Sequence, residues 1–170
     1  PLLYKNIGVD GVKTGYLAVE KYSLASTMKN NDRRVIAVVS GFETKNLRSS
    51  ESLKLLNWGL RNTNTFEISK KNVTMFEIDT WLGEKKKIRA TSKDDHYVTI
   101  NKKDIRHLTI SLEYAGPIAA PIEKDAQIAK IIVSKKDVII KSVPLYAAEE
   151  LKKVNFFKSL LTSLNYLIWG

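Results

Sequence analysis

Residues 22–41 read YSLASTMKNNDRRVIAVVSG, and this stretch decides the fold of the first third of the chain. Two apolar runs with strand-like composition, Tyr22 to Met28 and Arg33 to Gly41, flank a polar connection at residues 29–32. A short connection rich in Asn and Asp favours an antiparallel hairpin. The glycine-punctuated run before it, Ile7 to Gly15, predicts one more strand.

After Gly41 the apolar residues change to helical spacing, which predicts a helix with one face packed on this sheet. Ser49 or Ser50 is the predicted N-cap, and Glu51 suits the first helical turn. The face predicted to be buried comprises Leu53, Leu56 and Leu60, beside Trp58.

Residues 66–148 contain only strand signals, separated by turn sequences such as KKN, KDD, GP and KKD. They predict a small all-β domain, joined to the first part at Asn62–Thr65, whose strands hide their apolar faces by sandwich-like packing. The predicted strands are Val73–Ile78, Lys86–Ser92, Tyr97–Asn101, Thr109–Ala115, Ile128–Ser134 and Val138–Val143.

The C-terminal segment, residues 149–170, is predicted to form an amphipathic helix from Val154 to Trp169. At 1.5 Å per residue this helix is ~24 Å long, shorter than the ~30 Å hydrocarbon core of a bilayer. Periodicity leaves two interpretations open: a helix packed on its own protein, or one lying in a membrane interface. The apolar arc comprises Phe156, Phe157, Leu160, Leu161, Leu164, Leu167 and Ile168.

Composition sets limits on function. The 170 residues include 28 Lys+Arg and 18 Asp+Glu, which gives a formal charge of +10. This excess is spread along the chain, with one dense group at Lys85, Lys86, Lys87 and Arg89 that fits a solvated loop or an edge strand. A nucleic-acid-binding protein would need a focused basic patch with interleaved aromatic residues, so no nucleic-acid partner is predicted.

The residue types also restrict the chemistry. The absence of cysteine excludes disulfides, thiol catalysis and Cys-ligated zinc. The two histidines, His96 and His107, have no partners at ligand or triad spacing, and Asp94-Asp95-His96 is more typical of a turn than of a metal site. We therefore predict no metal and no cofactor. The chain starts at Pro1 without an initiator Met, which suggests a piece of a longer protein.

The motif with the clearest chemical meaning is Lys13-Thr14-Gly15, within DGVKTGY at residues 10–16. Lys-Thr-Gly at a strand end resembles the third signature of serine β-lactamases and penicillin-binding proteins. Three letters alone are a weak signal. Their context is more specific, because YSLAST, RRVIAVVSG and the predicted helix RSSESLKLLNWGLR follow in order.

Together these segments closely resemble the end of the catalytic domain of the D-alanyl-D-alanine carboxypeptidases, the low-molecular-mass penicillin-binding proteins of the S11 peptidase type. The stretch APIEKDAQIAKIIV, then KSVPLYA, is similar to their C-terminal domain, and VNFFKSLLTSLNYLIWG is similar to their membrane-binding helix. The resemblance implies an α+β fold with three parts. Residues 1–65 would be the C-terminal part of a serine β-lactamase/DD-peptidase-like domain, residues 66–148 an all-β domain, and residues 149–170 an amphipathic membrane-associating helix.

The resemblance also implies roles for individual residues. Lys13 would supply fixed positive charge, Thr14 a hydrogen bond to the substrate carboxylate, and Gly15 room for the substrate backbone. The backbone N–H of Tyr16 would form half of an oxyanion hole. Arg48 matches a basic residue that helps to hold the terminal carboxylate of the substrate.

In the family a Ser-x-x-Lys motif holding the nucleophile precedes Lys-Thr-Gly, as does a Ser-x-Asn motif. Ser26 and Lys29 match the first motif by letter, and Ser163 with Asn165 matches the second. Ser26 lies in a strand after Lys-Thr-Gly, where side chains at i and i+3 point to opposite faces of a sheet. Both matches are therefore interpreted as coincidence, and the nucleophilic serine is expected outside this chain.

Two hypotheses follow. The first is the C-terminal fragment of a periplasmic, penicillin-sensitive carboxypeptidase that removes the terminal D-alanine from peptidoglycan stem pentapeptides through an acyl-enzyme, the fragment alone being inactive. Its partners would be the stem peptide, β-lactams and the periplasmic face of the bacterial inner membrane, with any signal peptide outside these residues. The alternative is a non-enzymatic β module at a membrane surface that positions a partner or cargo.

Overall fold

The structure is a computed structural model that describes Leu2 and residues 7–155. Within these residues the fold is mostly β, with one α-helix. The chain forms two compact units, each described by itself below. In the described part, the first unit comprises Leu2, residues 7–65 and the returning segment Thr99–Ile105, and the second comprises Phe66–Val98 and residues 106–155.

The first unit is built on a three-stranded antiparallel sheet in the order β1-β2-β3. Its strands are β1 at Val9–Leu17, β2 at Lys21–Asn30 and β3 at Arg33–Phe42. The predicted hairpin is confirmed, since β2 and β3 pair antiparallel around a tight turn. Asn31 takes a left-handed backbone there (φ 53°), a conformation that Asn tolerates better than most residues.

One face of this sheet forms the core of the unit. Leu24, Met28 and Ala37 are buried there, against Leu56 from the helix that follows. The alternation of side chains along the strands places Ile36 and Val38 on the opposite face, where they are 69% and 75% exposed.

The helix α1 runs from Lys45 to Asn62 and begins earlier than the sequence predicts. Thr44 is the N-cap, because its hydroxyl oxygen accepts a hydrogen bond from the N–H of Leu47 at 3.1 Å. The predicted caps are wrong: Ser49 and Ser50 lie inside the helix, and their hydroxyls donate to backbone carbonyls of the preceding turn. No acidic residue occupies the first turn, since Glu51 lies further along the helix.

In the predicted joining segment, residues 62–65, α1 passes directly into β4, Thr63–Ser69, and the boundary between the two units follows Thr65. The N–H of Thr63 donates to the carbonyl oxygen of Gly59 and closes the helix. Arg33 reinforces this end, since its guanidinium donates to the carbonyl oxygens of Gly59, Leu60 and Thr63. A cation at a helix C-terminus satisfies carbonyls that have no intrahelical partner.

The second unit contains a six-stranded sheet. All six predicted strands are confirmed with shifted ends, while β4, the short β9 and a 3₁₀ helix at Lys102–His107 were not predicted. The sheet order is β8-β10-β11-β6-β5-β9, and β7 pairs with β4 in a two-stranded sheet. The strands are β5 Thr74–Trp81, β6 Lys87–Thr91, β7 His96–Asn101, β8 Leu108–Glu113, β9 Ile118–Ala119, β10 Gln127–Lys135 and β11 Val138–Ala147.

The core of this unit is aliphatic, and its largest fully buried side chains are Ile78, Ile88, Ile131, Val143, Leu145 and Leu151. Near the end of the described chain, Leu151 and Lys153 bridge to Ile122 and Gly83, so this part of the predicted tail is extended and packs on the unit. The seven predicted membrane residues, Phe156 to Ile168, lie outside the described residues. No helix in the described part of the chain is long and apolar enough to cross a membrane.

The basic group at Lys85–Arg89 does not lie on an edge strand. β6 has β11 on one side and β5 on the other, and its Lys87 and Arg89 stand opposite Asp79 and Glu77 of β5. Glu149 pairs with Lys85 and with Arg89, and these hydrogen bonds, the Lys85 one first, lower the pKa of its carboxyl. Lys85 and Lys86 therefore lie in the exposed loop before β6, as one of the two interpretations predicts, while Lys87 and Arg89 lie within the sheet opposite carboxylates.

Candidate functional site

The Lys-Thr-Gly motif lies on β1, which is an edge strand of the described sheet. Lys13 stands opposite Ala25 of β2, and Thr14 stands opposite Leu24. Since side chains alternate along a strand, Lys13 and Thr14 project from opposite faces of the sheet. Both are exposed, so a ligand along this edge would meet a cation from one face and a hydroxyl from the other.

Gly15 lies directly against a side chain of its neighbouring strand β2. A Cβ atom at Gly15 would lie 2.5 Å from the hydroxyl oxygen of Ser23, which is closer than real Cβ contacts allow. The family resemblance implies one reason for this glycine, room for the backbone of a bound substrate. The structure adds a second reason that operates without any ligand: the close pairing of β1 with β2.

Tyr16, the residue after the motif, projects from the same face as Thr14. Its ring packs on that of Tyr22, with the two ring centroids 4.8 Å apart and the planes tilted by 45°. The strand register places the two tyrosines directly opposite each other. The proposed part of Tyr16, its backbone N–H in an oxyanion hole, stays a prediction.

Arg48 reaches the same place from α1. Its guanidinium carbon lies 5.9 Å from the centroid of the Tyr22 ring, which is cation–π range. The Nε atom of Arg48 is buried and has no hydrogen-bond partner among the residues that the structure describes. The fold thus joins Tyr16, Tyr22 and Arg48 in one group, on the face of β1 that Thr14 shares.

Lys13 borders a shallow groove of about 400 Å³ on the opposite face, lined by Gly11, Ala25, Thr27 and Ile36 among others. Arg34 also lines this groove. It holds both carboxylate oxygens of Asp10, at 2.6 and 2.7 Å, and donates to the hydroxyl of Thr27 at 2.7 Å. The hydrogen bond from Arg34 lowers the pKa of Asp10.

Ser26 is not placed to act as a nucleophile. It is 2% exposed, on the face that packs against α1, and its hydroxyl donates to the carbonyl oxygen of Ala37 at 3.4 Å. Lys29 lies three positions on, exposed and opposite Arg34 of β3. The interpretation of this Ser-x-x-Lys as a coincidence is therefore consistent with the geometry. Ser163 lies outside the described residues.

The two histidines bring no ligand cluster together. Across Leu2 and residues 7–155, no group of three or more His, Asp or Glu side chains could hold a metal ion. Asp94 and Asp95 serve the turn before β7 instead. The hydroxyl of Ser92 donates to the carbonyl oxygen of Asp94 at 2.8 Å, and the carboxylate of Asp95 accepts the N–H of Lys71 at 2.8 Å.

Sequence reasoning missed Tyr22 and the Asp10–Arg34 pair. The signal for Tyr22 was available in the turn between β1 and β2, because strands that fold back over residues 18–20 place positions 16 and 22 opposite each other. No local sequence pattern indicates the Asp10–Arg34 pair, because it links β1 to β3 across the intervening strand β2.

Comparison with known proteins defines the class. The domain family described as penicillin-binding protein 5, C-terminal domain, matches residues 64–153. D-alanyl-D-alanine carboxypeptidase DacF of Bacillus subtilis is 30% identical over 154 residues, which cover 90% of this chain and 40% of that protein. D-alanyl-D-alanine carboxypeptidase DacA of Haemophilus influenzae is 32% identical over 158 residues, covering 92% of this chain and 40% of that protein.

A solved structure of a relative has a similar fold over most of this chain. Penicillin-binding protein 5 from Haemophilus influenzae superposes with a TM-score of 0.77 at 29% identity, covering 89% of this chain and 44% of that one. The chain belongs to the penicillin-binding protein 5 family, by its C-terminal domain, and is homologous to D-alanyl-D-alanine carboxypeptidases. It spans about 40% of the length of the curated relatives that it matches.

Proposed function

We propose that this chain is the C-terminal portion of a serine-type D-Ala-D-Ala carboxypeptidase, and that its residues 1–65 complete the substrate site of that enzyme. The observation that supports this most directly is the edge strand β1, which exposes Lys-Thr-Gly with Arg48 on the Thr14 side of the sheet. The relatives named carboxypeptidases supply the reaction class.

In the proposed site the substrate is a peptide that ends in D-alanyl-D-alanine, lying along the free edge of β1. Thr14 donates a hydrogen bond to its terminal carboxylate and Arg48 adds a guanidinium, which suits carboxylates geometrically. Lys13 provides positive charge from the other face of the strand. The N–H of Tyr16 stabilises the oxyanion that forms when the scissile carbonyl is attacked.

The nucleophilic serine belongs, in this proposal, to a part of the protein outside these 170 residues. Its hydroxyl oxygen bonds to the carbonyl carbon, D-alanine leaves with a proton on its new amine, and water then hydrolyses the acyl-enzyme. β-Lactams would acylate the same serine. The second unit and residues 156–170 would hold the enzyme at the periplasmic face of the inner membrane.

The test is the release of D-alanine from a peptide ending in Lys-D-Ala-D-Ala by the longer protein that carries this chain. The change Thr14→Val, which keeps the side-chain shape but removes the hydroxyl, is expected to lower kcat/KM about ten- to a hundredfold, the effect of losing a hydrogen bond to a charged group. Thr109→Val, at an exposed position of β8, is the matched control and should leave kcat/KM unchanged.

Two outcomes would contradict the proposal. One is a longer protein that releases no D-alanine and is not labelled by fluorescent penicillin, which would favour a non-enzymatic membrane-surface module. The other is penicillin labelling of the 170-residue chain itself at Ser26, which would move the nucleophile into this chain.

A further inference from the structure

We infer that Tyr22 is a positioning residue that holds the guanidinium of Arg48 ready for the terminal carboxylate of a peptide. The inference rests on the proposed function and adds to it a residue outside the Lys-Thr-Gly motif. Three features of the first unit support it: an aromatic stack, a fixed backbone under Arg48, and an arginine that lacks an internal carboxylate.

The aromatic stack connects Arg48 to the edge strand. Tyr22 has the ring of Tyr16 on one side, at 4.8 Å between centroids, and the guanidinium of Arg48 at 5.9 Å from its own centroid. Tyr16 directly follows the Lys-Thr-Gly motif. Tyr22 therefore links the arginine to the strand along which the substrate is proposed to lie.

The backbone of Arg48 is fixed from both sides along the helix. Its N–H donates to the carbonyl oxygen of Thr44, the N-cap residue, at 3.0 Å. Its own carbonyl oxygen accepts the hydroxyl of the fully buried Ser52 at 2.6 Å. With the backbone held, the freedom that remains is in the long side chain, and a flat aromatic surface restricts that freedom.

Arg48 has no carboxylate of its own among the described residues. The nearest acidic residues in the sequence pair with lysines: Glu43 with Lys21, and Glu51 with Lys54 at 2.7 Å. The Nε atom of Arg48 is buried without a hydrogen-bond partner in the described part of the chain. A buried donor left unsatisfied is costly, so a ligand with acceptor oxygens would restore a hydrogen bond that the fold leaves open.

The hydrogen-bond donors of the Arg48 guanidinium indicate which chemical group a ligand must offer. A guanidinium keeps its N–H groups in its own plane, where they can donate side by side to the two oxygens of a carboxylate. A C-terminal amide offers one oxygen and no charge. We therefore expect the Tyr22–Arg48 pair to distinguish a free peptide C-terminus from an amidated one.

The experiment uses the 170-residue chain and follows the Nε–H signal of Arg48 by NMR, assigned through Arg48→Lys. The probes are N-acetyl-D-alanyl-D-alanine and the same dipeptide with an amidated C-terminus. The variants are Tyr22→Phe, which keeps the ring, and Tyr22→Leu, which removes it. Tyr97→Leu, at a half-exposed tyrosine of the second unit, is the control for loss of a surface ring.

In the free protein, Tyr22→Leu should remove the ring-current shift of the Arg48 Nε–H signal, while Tyr22→Phe and Tyr97→Leu should preserve it. The free acid should move this signal and the amide should not. Affinity for the acid should fall about two- to fivefold in Tyr22→Leu, the range of a partly exposed cation–π contact, and recover in Tyr22→Phe.

The outcomes separate the two proposals. If the wild-type chain distinguishes acid from amide but Tyr22→Leu does so equally well, Tyr22 is not a positioning residue and the proposed function stands. If the wild-type chain treats acid and amide alike, the carboxylate role of Arg48 fails, and with it both the inference and this part of the proposed site. Dispersed amide spectra of all variants verify that each is folded.

Discussion

Asp10 and Arg34 show how one ion pair connects the outer strands of a three-stranded sheet. Asp10 lies on β1 and Arg34 on β3, and the guanidinium also bonds Thr27 on the strand between them. Both partners are near half exposure, so the energy of the pair is reduced by solvent screening. The main role of the Asp10–Arg34 pair is to hold in place the edge strand β1, which carries Lys-Thr-Gly.

The pair predicts a pH dependence. The pKa of Asp10 is lower in the folded state, chiefly because of the hydrogen bond from Arg34, so its stabilisation is present above the unfolded pKa of an aspartate and is lost as the pH falls through the folded value. Asp10→Asn should therefore be less stable than wild type at neutral pH and equal to it in acid. Urea unfolding across that range measures the difference.

Asp137→Asn, in the exposed turn between β10 and β11, provides the comparison for replacing a carboxylate elsewhere. A constant gap between Asp10→Asn and wild type at every pH would show that the pair contributes by packing and not by charge. High salt should reduce the difference in free energy of unfolding between Asp10→Asn and wild type at neutral pH.

At the scale of elements, the side chain of Thr27 on β2 occupies the space directly beside Gly11 on β1. A Cβ atom there would lie 2.3 Å from Cγ2 of Thr27. Thr27 cannot easily turn this methyl group away, because its hydroxyl accepts the hydrogen bond from Arg34 at 2.7 Å. The small size of Gly11 and the methyl group of Thr27 are therefore sterically complementary at this point.

We predict that Gly11→Ala destabilises the protein by about 1–3 kcal/mol, the usual cost of forcing an extra methyl group into a packed contact. Thr27→Ser removes the opposing methyl but keeps the hydroxyl, so the double variant should recover most of the loss. Chemical denaturation of both single variants and the double variant gives the coupling energy. Additive effects would mean that the two groups do not clash.

The helix shows where sequence rules lose their precision. Apolar spacing located α1 and its buried Leu56 correctly, because burial against the sheet follows periodicity. The choice of cap failed, because Thr44, Ser49 and Ser50 all carry hydroxyls suited to the role. What decided between them was where β3 ends, at Phe42, which is a property of the sheet.

At the scale of the whole molecule, the membrane role predicted for residues 156–170 can be separated from the overall charge of +10. We predict that the double variant Phe156→Ser/Phe157→Ser binds vesicles at least about tenfold more weakly, since two aromatic side chains supply much of the apolar area. Co-flotation with phosphatidylethanolamine–phosphatidylglycerol vesicles measures this.

Lys158→Gln, which removes one positive charge from the same segment, is the control and should change vesicle binding only slightly. Vesicles of phosphatidylcholine alone test the same point from the lipid side. Binding that disappears with salt or with neutral lipid, and survives in the Phe156→Ser/Phe157→Ser variant, would assign the attachment to the basic residues instead.

The sequence predicted the strands of the second unit well, because each is a short apolar run between clear turn signals, as at Val138 after the Lys136-Asp137 turn. It predicted Lys13, Thr14, Gly15 and Arg48 only through a resemblance. Contacts between distant elements, such as that of Tyr22 on β2 with Arg48 on α1, depend on tertiary packing, which local sequence patterns do not contain.

The return of Thr99–Ile105 to the first unit has a consequence for inheritance. The chain passes between its units at residues 65–66, 98–99 and 105–106, so a single recombination joint cannot exchange either unit as a complete cassette. A recombination joint at residue 65 would combine the three-stranded sheet of one parental sequence with the segment Thr99–Ile105 of another. Crossovers that preserve both units must therefore fall before the first unit or after the second, so we expect the two units to be exchanged together.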